Sequence, residues 1–87
     1  MSTKRKKQAT ARQLYELIED QEFRCALSGM KLTPKIARLD HKVPVSKGGD
    51  DSVDNLQWVH EEINRMKGTM DNQEFLELCK RIVAWDH

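Results

Sequence analysis

The sequence predicts a small α+β domain in which a β-hairpin and a short helix form the centre, with one helix before this unit and one after it. Three observations carry that expectation. Two stretches of helical periodicity, each opened by a capping box, stand toward the two ends. Two short alternating runs lie between them. A polar, glycine-bearing loop separates the runs. At 87 residues the chain has room for one compact domain, and with 38% hydrophobic residues it needs a metal, a partner or good local packing to reach ordinary stability.

The elements follow in order. Thr10 and Gln13 form the first capping box, and Leu14, Leu17 and Ile18 then recur at helical spacing as far as Asp20. Over residues 23–34 the pattern breaks: Ser28-Gly29 and Thr33-Pro34 are turn signals, so Cys25 sits in an irregular knuckle. Ile36, Arg38 and Asp40 alternate with Ala37, Leu39 and His41, and the run continues to Val43 and Val45 around Pro44 as a twisted edge strand. Residues 46–54 carry Gly48-Gly49 and Asp50-Asp51 and read as a long exposed loop. Residues 56–59 return as a second strand.

Glu61 and Glu62 open a two-turn helix that Gly68 stops, with Ile63 and Met66 on its apolar face and Asn64 and Lys67 on an adjacent polar one. Asp71 and Glu74 are the second capping box, followed by a stripe of Phe75, Leu78, Cys79 and Ile82 that ends near Trp85. Trp58, Trp85, Tyr15 and Phe23 read as core residues rather than base-stacking platforms. His60 and His87 have no functional assignment, although His60 is placed to cap the short helix.

Fifteen cations against fourteen acids argue against a protein that grips nucleic acid by bulk charge alone. The distribution is uneven: Lys4, Arg5, Lys6, Lys7 and Arg12 crowd an acid-free start, which leaves ten cations against fourteen acids in the remainder. The expected organisation is a basic arm over residues 1–9 and a single domain over 10–87. The arm reads equally as a solvated start, and less well as a nuclear targeting signal. Two cysteines, far apart, suit neither a secreted disulfide scaffold nor a close-spaced metal pair, and no run has the length of a signal sequence or a membrane span. A cytoplasmic location, with no membrane partner, is expected.

Four polar residues stand where the elements meet: Asp40 and His41 at the end of the first strand, Asn55 opening the second, and Asn64 on the short helix. Hydrolysis of a phosphodiester requires a positioned water, a base for its proton and positive charge near the developing phosphorane. His41 suits the base, because a neutral imidazole accepts a proton near neutral pH. Asp40 and the Asn64 amide are hard oxygen donors appropriate to Mg²⁺. Taken singly, an Asp-His pair is usually a surface hydrogen bond and asparagine near glycine usually marks a turn. Their joint order with the Gly-Gly loop and Lys67-Gly68 is what ordinary turn chemistry does not require.

The stretch LDHKVPVSKGGDDSVDNLQWVHEEINRMKG, within residues 25–68, resembles the HNH endonuclease family, a branch of the His-Me finger nucleases. It carries the family's Asp-His, Pro, Gly-Gly, Asn-Leu and Asn-x-x-Lys-Gly elements in order. The resemblance implies a ββα-metal core, a DNA substrate and cleavage that leaves a 5′-phosphate. It makes His41 the general base, Asp40 and Asn64 the metal ligands, and Asn55 a residue that holds the loop and helps to orient the histidine. Asn64 in the third signature position makes this an H-N-N variant, for which Mg²⁺ or Mn²⁺ is expected rather than Zn²⁺. Arg65 and Lys67 beside it, with Lys4, Arg5, Lys6 and Lys7 of the arm, are candidates for meeting DNA phosphates.

Two features depart from a simple fit. Strand alternation sends Asp40 and His41 to opposite faces, so a bulge or strand end before Pro44 is expected, and regular antiparallel pairing through both residues counts against the assignment. Many family members also bind a structural zinc through two Cys-x-x-Cys pairs; the matching positions here are Cys25 and Ser28, then His60 and Ile63. No structural zinc is expected, and apolar packing by the flanking helices takes its place. A binding module that has lost catalysis has no use for the whole Asp40, His41 and Asn64 set, and a degenerate zinc module lacks ligands. Sequence preference, expected to be weak or nil, and the choice among monomeric nickase, homodimer and part of a larger phage or bacterial complex are not written in these residues.

Overall fold

The computed structural model describes residues 6–85. The helices are α1 (Ala11–Asp20), α2 (Glu61–Lys67) and α3 (Asn72–Ala84), and the strands are β1 (Ala37–His41) and β2 (Leu56–His60). Two 3-10 turns, Val45–Lys47 and Val53–Asn55, bound the loop between the strands. The order is the expected one: a hairpin and a short helix between two longer helices.

Each helix begins where its capping chemistry dictates. The Thr10 hydroxyl accepts from the Gln13 N–H at 3.1 Å while the Gln13 side chain accepts from the Thr10 N–H at 3.0 Å. Asp71 and Glu74 do the same for α3. His60 caps α2, its Nδ1 accepting from the Glu62 N–H at 3.1 Å. Gly68 ends α2 with φ 55°, a left-handed value that glycine adopts without steric cost.

The strands pair antiparallel from Ala37↔His60 through Asp40↔Gln57 to His41↔Leu56. The expected bulge is absent, and pairing is regular through Asp40 and His41. The expected strand end is present, since β1 stops at His41, ahead of Pro44. It is shorter than the sequence suggested because Pro44 has no N–H to give and the chain winds at once into the turn Val45–Lys47. The following loop is anchored rather than loose: the Asn55 side chain accepts from the Val43 N–H at 3.0 Å and donates to the carbonyls of Val43 at 3.0 Å and Asp50 at 2.8 Å.

Helices cover both faces of the hairpin. On one face the Trp58 indole donates to the Leu14 carbonyl of α1 at 2.9 Å. The Gln21 side chain, just past α1, exchanges hydrogen bonds with the Trp58 backbone at 3.0 and 2.9 Å, much as a further strand would. On the other face lie Asp40, Gln57 and α2. The core is small: Cys25, Leu32 and the fully buried Val59, with Ile18, Leu27, Ala37, Trp58 and Ile63 packed against it. Cys25 is held in the expected knuckle, where its N–H donates to the Met30 carbonyl at 2.7 Å.

Helix α3 corrects the expectation that both flanking helices build the core. Its first turn is attached through buried Phe75, a Lys47–Glu74 ion pair and the Asn72 N–H, which donates to the Lys42 carbonyl at 3.0 Å. Beyond that turn Leu78, Ile82 and Val83 are 46%, 57% and 84% exposed. Trp85, Tyr15, Phe23 and Met66 are likewise exposed rather than buried. A helical stripe records amphipathicity, not the presence of a surface to receive it.

Candidate active site

The strand end, the loop and α2 converge around Asp40 and His41. Asp40 is buried, and its Oδ2 accepts from the Gln57 side chain at 2.9 Å and from the Lys67 ammonium at 2.6 Å. Gln57 is the residue opposite Asp40 in the ladder, so the strand register itself brings its amide to the carboxylate. Gln57 and Asn72 in turn exchange hydrogen bonds at 2.8 and 3.0 Å, which ties the network to the first turn of α3. The other carboxylate oxygen, Oδ1, has no hydrogen-bond partner among the described residues.

Lys67 lies where the sequence did not lead. Its ammonium is 0% exposed and also donates to the His41 carbonyl at 2.6 Å. A side chain so enclosed is not available to a DNA phosphate; it neutralises Asp40 and fixes the end of β1 instead. Asn64, one turn earlier on α2, is half-buried, and its amide has no hydrogen bond among the described residues.

His41 faces the loop. Its Nε2 lies 2.6 Å from Asp51 Oδ1, and its side chain is 32% exposed. Sequence reasoning missed Asp51 and Gln57, because one contact depends on how a loop folds back and the other on strand register. The Asn55 side chain spans the loop through three hydrogen bonds to the backbone of Val43 and Asp50 and makes none to the imidazole.

Of the basic residues, Arg65 and Lys7 are exposed. Lys6 pairs with Asp54 at 3.0 Å, a hydrogen bond that raises its pKa above the ordinary value. Lys4 and Arg5 lie outside the described residues.

A second convergence involves the knuckle. Burial is the largest influence on the Cys25 thiol and raises its pKa, but hydrogen bonds with Ser28 and with the backbone of His60, Leu27 and Ser28 bring it below the ordinary value. Ile63 packs on the same cluster, and the His60 Nδ1 is committed to capping α2. One thiol among a hydroxyl, an engaged imidazole and an aliphatic chain does not fit tetrahedral zinc. No cluster of three or more His, Cys, Asp or Glu suited to a metal occurs among the described residues.

Comparison with known proteins matches residues 25–70 to the family described as HNH endonuclease. The chain belongs to the HNH endonuclease family. The matched span runs from the knuckle to just past α2, so the hairpin and α2 form the ββα-metal core of the family fold. In three dimensions this HNH domain is similar to part of the Type II-C Cas9 enzyme from Actinomyces naeslundii, with a TM-score of 0.69 and 23% sequence identity. That similarity covers 94% of this chain and 10% of the Cas9 chain, and it establishes the fold, including both flanking helices. No curated protein matches the sequence. No described helix is long and apolar enough to cross a membrane.

Proposed function

We propose that this HNH domain is a divalent-cation-dependent endonuclease that hydrolyses DNA phosphodiester bonds with weak or no sequence preference. The observation that carries the reading is the state of Asp40. One oxygen is held by Lys67 and Gln57, the other is uncommitted, and the free amide of Asn64 stands one turn before Lys67 on the same helix. Asp40 and Asn64 would hold Mg²⁺ or Mn²⁺, hard cations that retain several waters and accept phosphate oxygens. The donor set fits, because each group offers a hard oxygen not already used. When bound, the cation supplies positive charge to the phosphate and to the departing 3′ oxygen.

His41 accepts the proton of the attacking water, and Asn55 keeps the loop around it in place. Attack in line with the leaving oxygen puts the two ends of the reaction on opposite sides of phosphorus. A base and a metal ligand on opposite faces of one strand end suit that geometry, so regular pairing through Asp40 and His41 is compatible with the chemistry after all. Exposed Arg65 and Lys7, together with Lys4, Arg5 and Lys6 of the arm, would meet phosphates, whereas the enclosed Lys67 is withdrawn from that role.

The experiment is incubation of supercoiled plasmid with Mg²⁺, Mn²⁺ or a chelator, beside a His41→Ala variant. Metal-dependent conversion to open-circle or linear DNA that disappears in the variant is expected, and the product form separates nicking from double-strand cutting. Absence of cleavage with either metal overturns the proposal.

A further inference from the structure

We infer that Asp51 is a positioning residue for His41, selecting which imidazole nitrogen takes the proton from water. The inference rests on His41 being the general base of the nuclease reaction. The contact is short, 2.6 Å between Nε2 and Asp51 Oδ1. An ionised carboxylate can only accept, so Nε2 must carry the hydrogen. In the neutral ring the lone pair then belongs to Nδ1, which becomes the base atom.

The loop presents Asp51 rigidly. On one side Asp50 Oδ1 accepts from the Ser52 N–H at 3.0 Å and the Ser52 hydroxyl at 2.7 Å, and Ser52 is buried. The Asp50 carbonyl is held by the Asn55 amide at 2.8 Å. The Asp51 carbonyl itself accepts from the Ala9 N–H at 2.9 Å. Both neighbours of Asp51 are thus fixed, and so is its own backbone, while its side chain remains 57% exposed and directed at the ring. A carboxylate presented this way orients the imidazole and stabilises the imidazolium formed when Nδ1 is protonated.

In the step so arranged, the proton of water passes to Nδ1 and the water oxygen forms the new bond to phosphorus. The electron pair of the broken bond leaves with the 3′ oxygen, which takes a proton from solvent. The proton on Nδ1 then returns to solvent.

Two measurements test the role. Long-range ¹H–¹⁵N spectra of the imidazole in the whole protein, at a pH of about 8.5 where an ordinary histidine is neutral, should show His41 as the Nε2–H tautomer and show that preference lost in Asp51→Ala. In plasmid cleavage, Asp51→Ala should lower kcat by roughly 10–100-fold with KM unchanged. Asp51→Asn, whose amide oxygen can still accept from Nε2–H, should recover part of the loss. An Nδ1–H tautomer in the wild type, or a kcat in Asp51→Ala equal to the wild-type value, overturns the role of Asp51. The spectrum requires no turnover, so an inert wild type with the Nε2–H tautomer instead counts against the nuclease reading alone.

Discussion

Asp40 and His41 are neighbours in sequence, yet they belong to different kinds of surroundings. On the Asp40 side the carboxylate is buried against Lys67 and Gln57, and Gln57 continues to half-buried Asn72, while one carboxylate oxygen has no hydrogen bond among the described residues. On the His41 side the imidazole is one-third exposed and meets a single loop carboxylate. The difference teaches how a small domain divides labour along one strand. The enclosed face supports the hairpin, because a charge without its partner there would be costly. The open face leaves the imidazole within reach of water. Lys67 links the two, donating to the Asp40 carboxylate and to the His41 carbonyl.

The contrast can be broken most forcefully from the open face. His41→Ala should reduce plasmid cleavage by about 10²–10⁴-fold while leaving the urea midpoint of unfolding unchanged. A large loss of stability in that variant would mean that the two faces are not separate in function. From the enclosed face, Lys67→Met leaves a buried carboxylate without its cation and should cost about 3–5 kcal/mol in urea denaturation. A cost below about 1 kcal/mol, the usual value for an exposed pair, would remove the distinction between the faces.

A smaller effect tests the loop that serves the open face. A Cβ on Gly49 would lie 1.8 Å from the Val43 carbonyl oxygen, which is backbone and cannot swing aside. Gly49→Ala should therefore shift the loop, destabilise by about 1–3 kcal/mol and slow cleavage by displacing Asp51. Unchanged cleavage would show that the position of the loop does not matter to His41.

The smallest effect concerns the seam between loop and α3. The ion pair with Lys47, and then the Asp71 N–H, hold Glu74 below its ordinary carboxylate value of 4.5. A carboxyl lowered on folding contributes stability that is complete above its unfolded value and is lost as pH falls through the folded one. The stability advantage of the wild type over Glu74→Gln should thus be complete well above pH 4.5 and shrink as pH falls below that value. An advantage independent of pH would indicate that capping geometry, not charge, secures this seam.

Much of this organisation is legible from local sequence. Capping boxes at Thr10 and Asp71 mark helix starts because the residues that satisfy the free N–H groups lie three positions apart. Alternation located the hairpin, and Pro44 with Gly48-Gly49 announced the loop. The order of Asp40, His41, Asn55 and Asn64 along the chain marks them as candidates for one site. The partners of those residues were less accessible: Gln57 meets Asp40 only through the register, and Asp51 meets His41 only after the loop has folded back. Lys67 was misread because a lysine on a polar helical face is ordinarily solvated, whereas here α2 packs that face onto the strand end.

The sequence by itself determined the α+β element order and the helix boundaries, since capping and periodicity act over a few residues. Tertiary structure alone decided that Lys67 is enclosed while Asp51 is directed at His41. It also decided that α3 carries its apolar stripe on open surface beyond its first turn. Burial and hydrogen-bond partnership are properties of what arrives from elsewhere in the chain, and local pattern states only what each segment can offer.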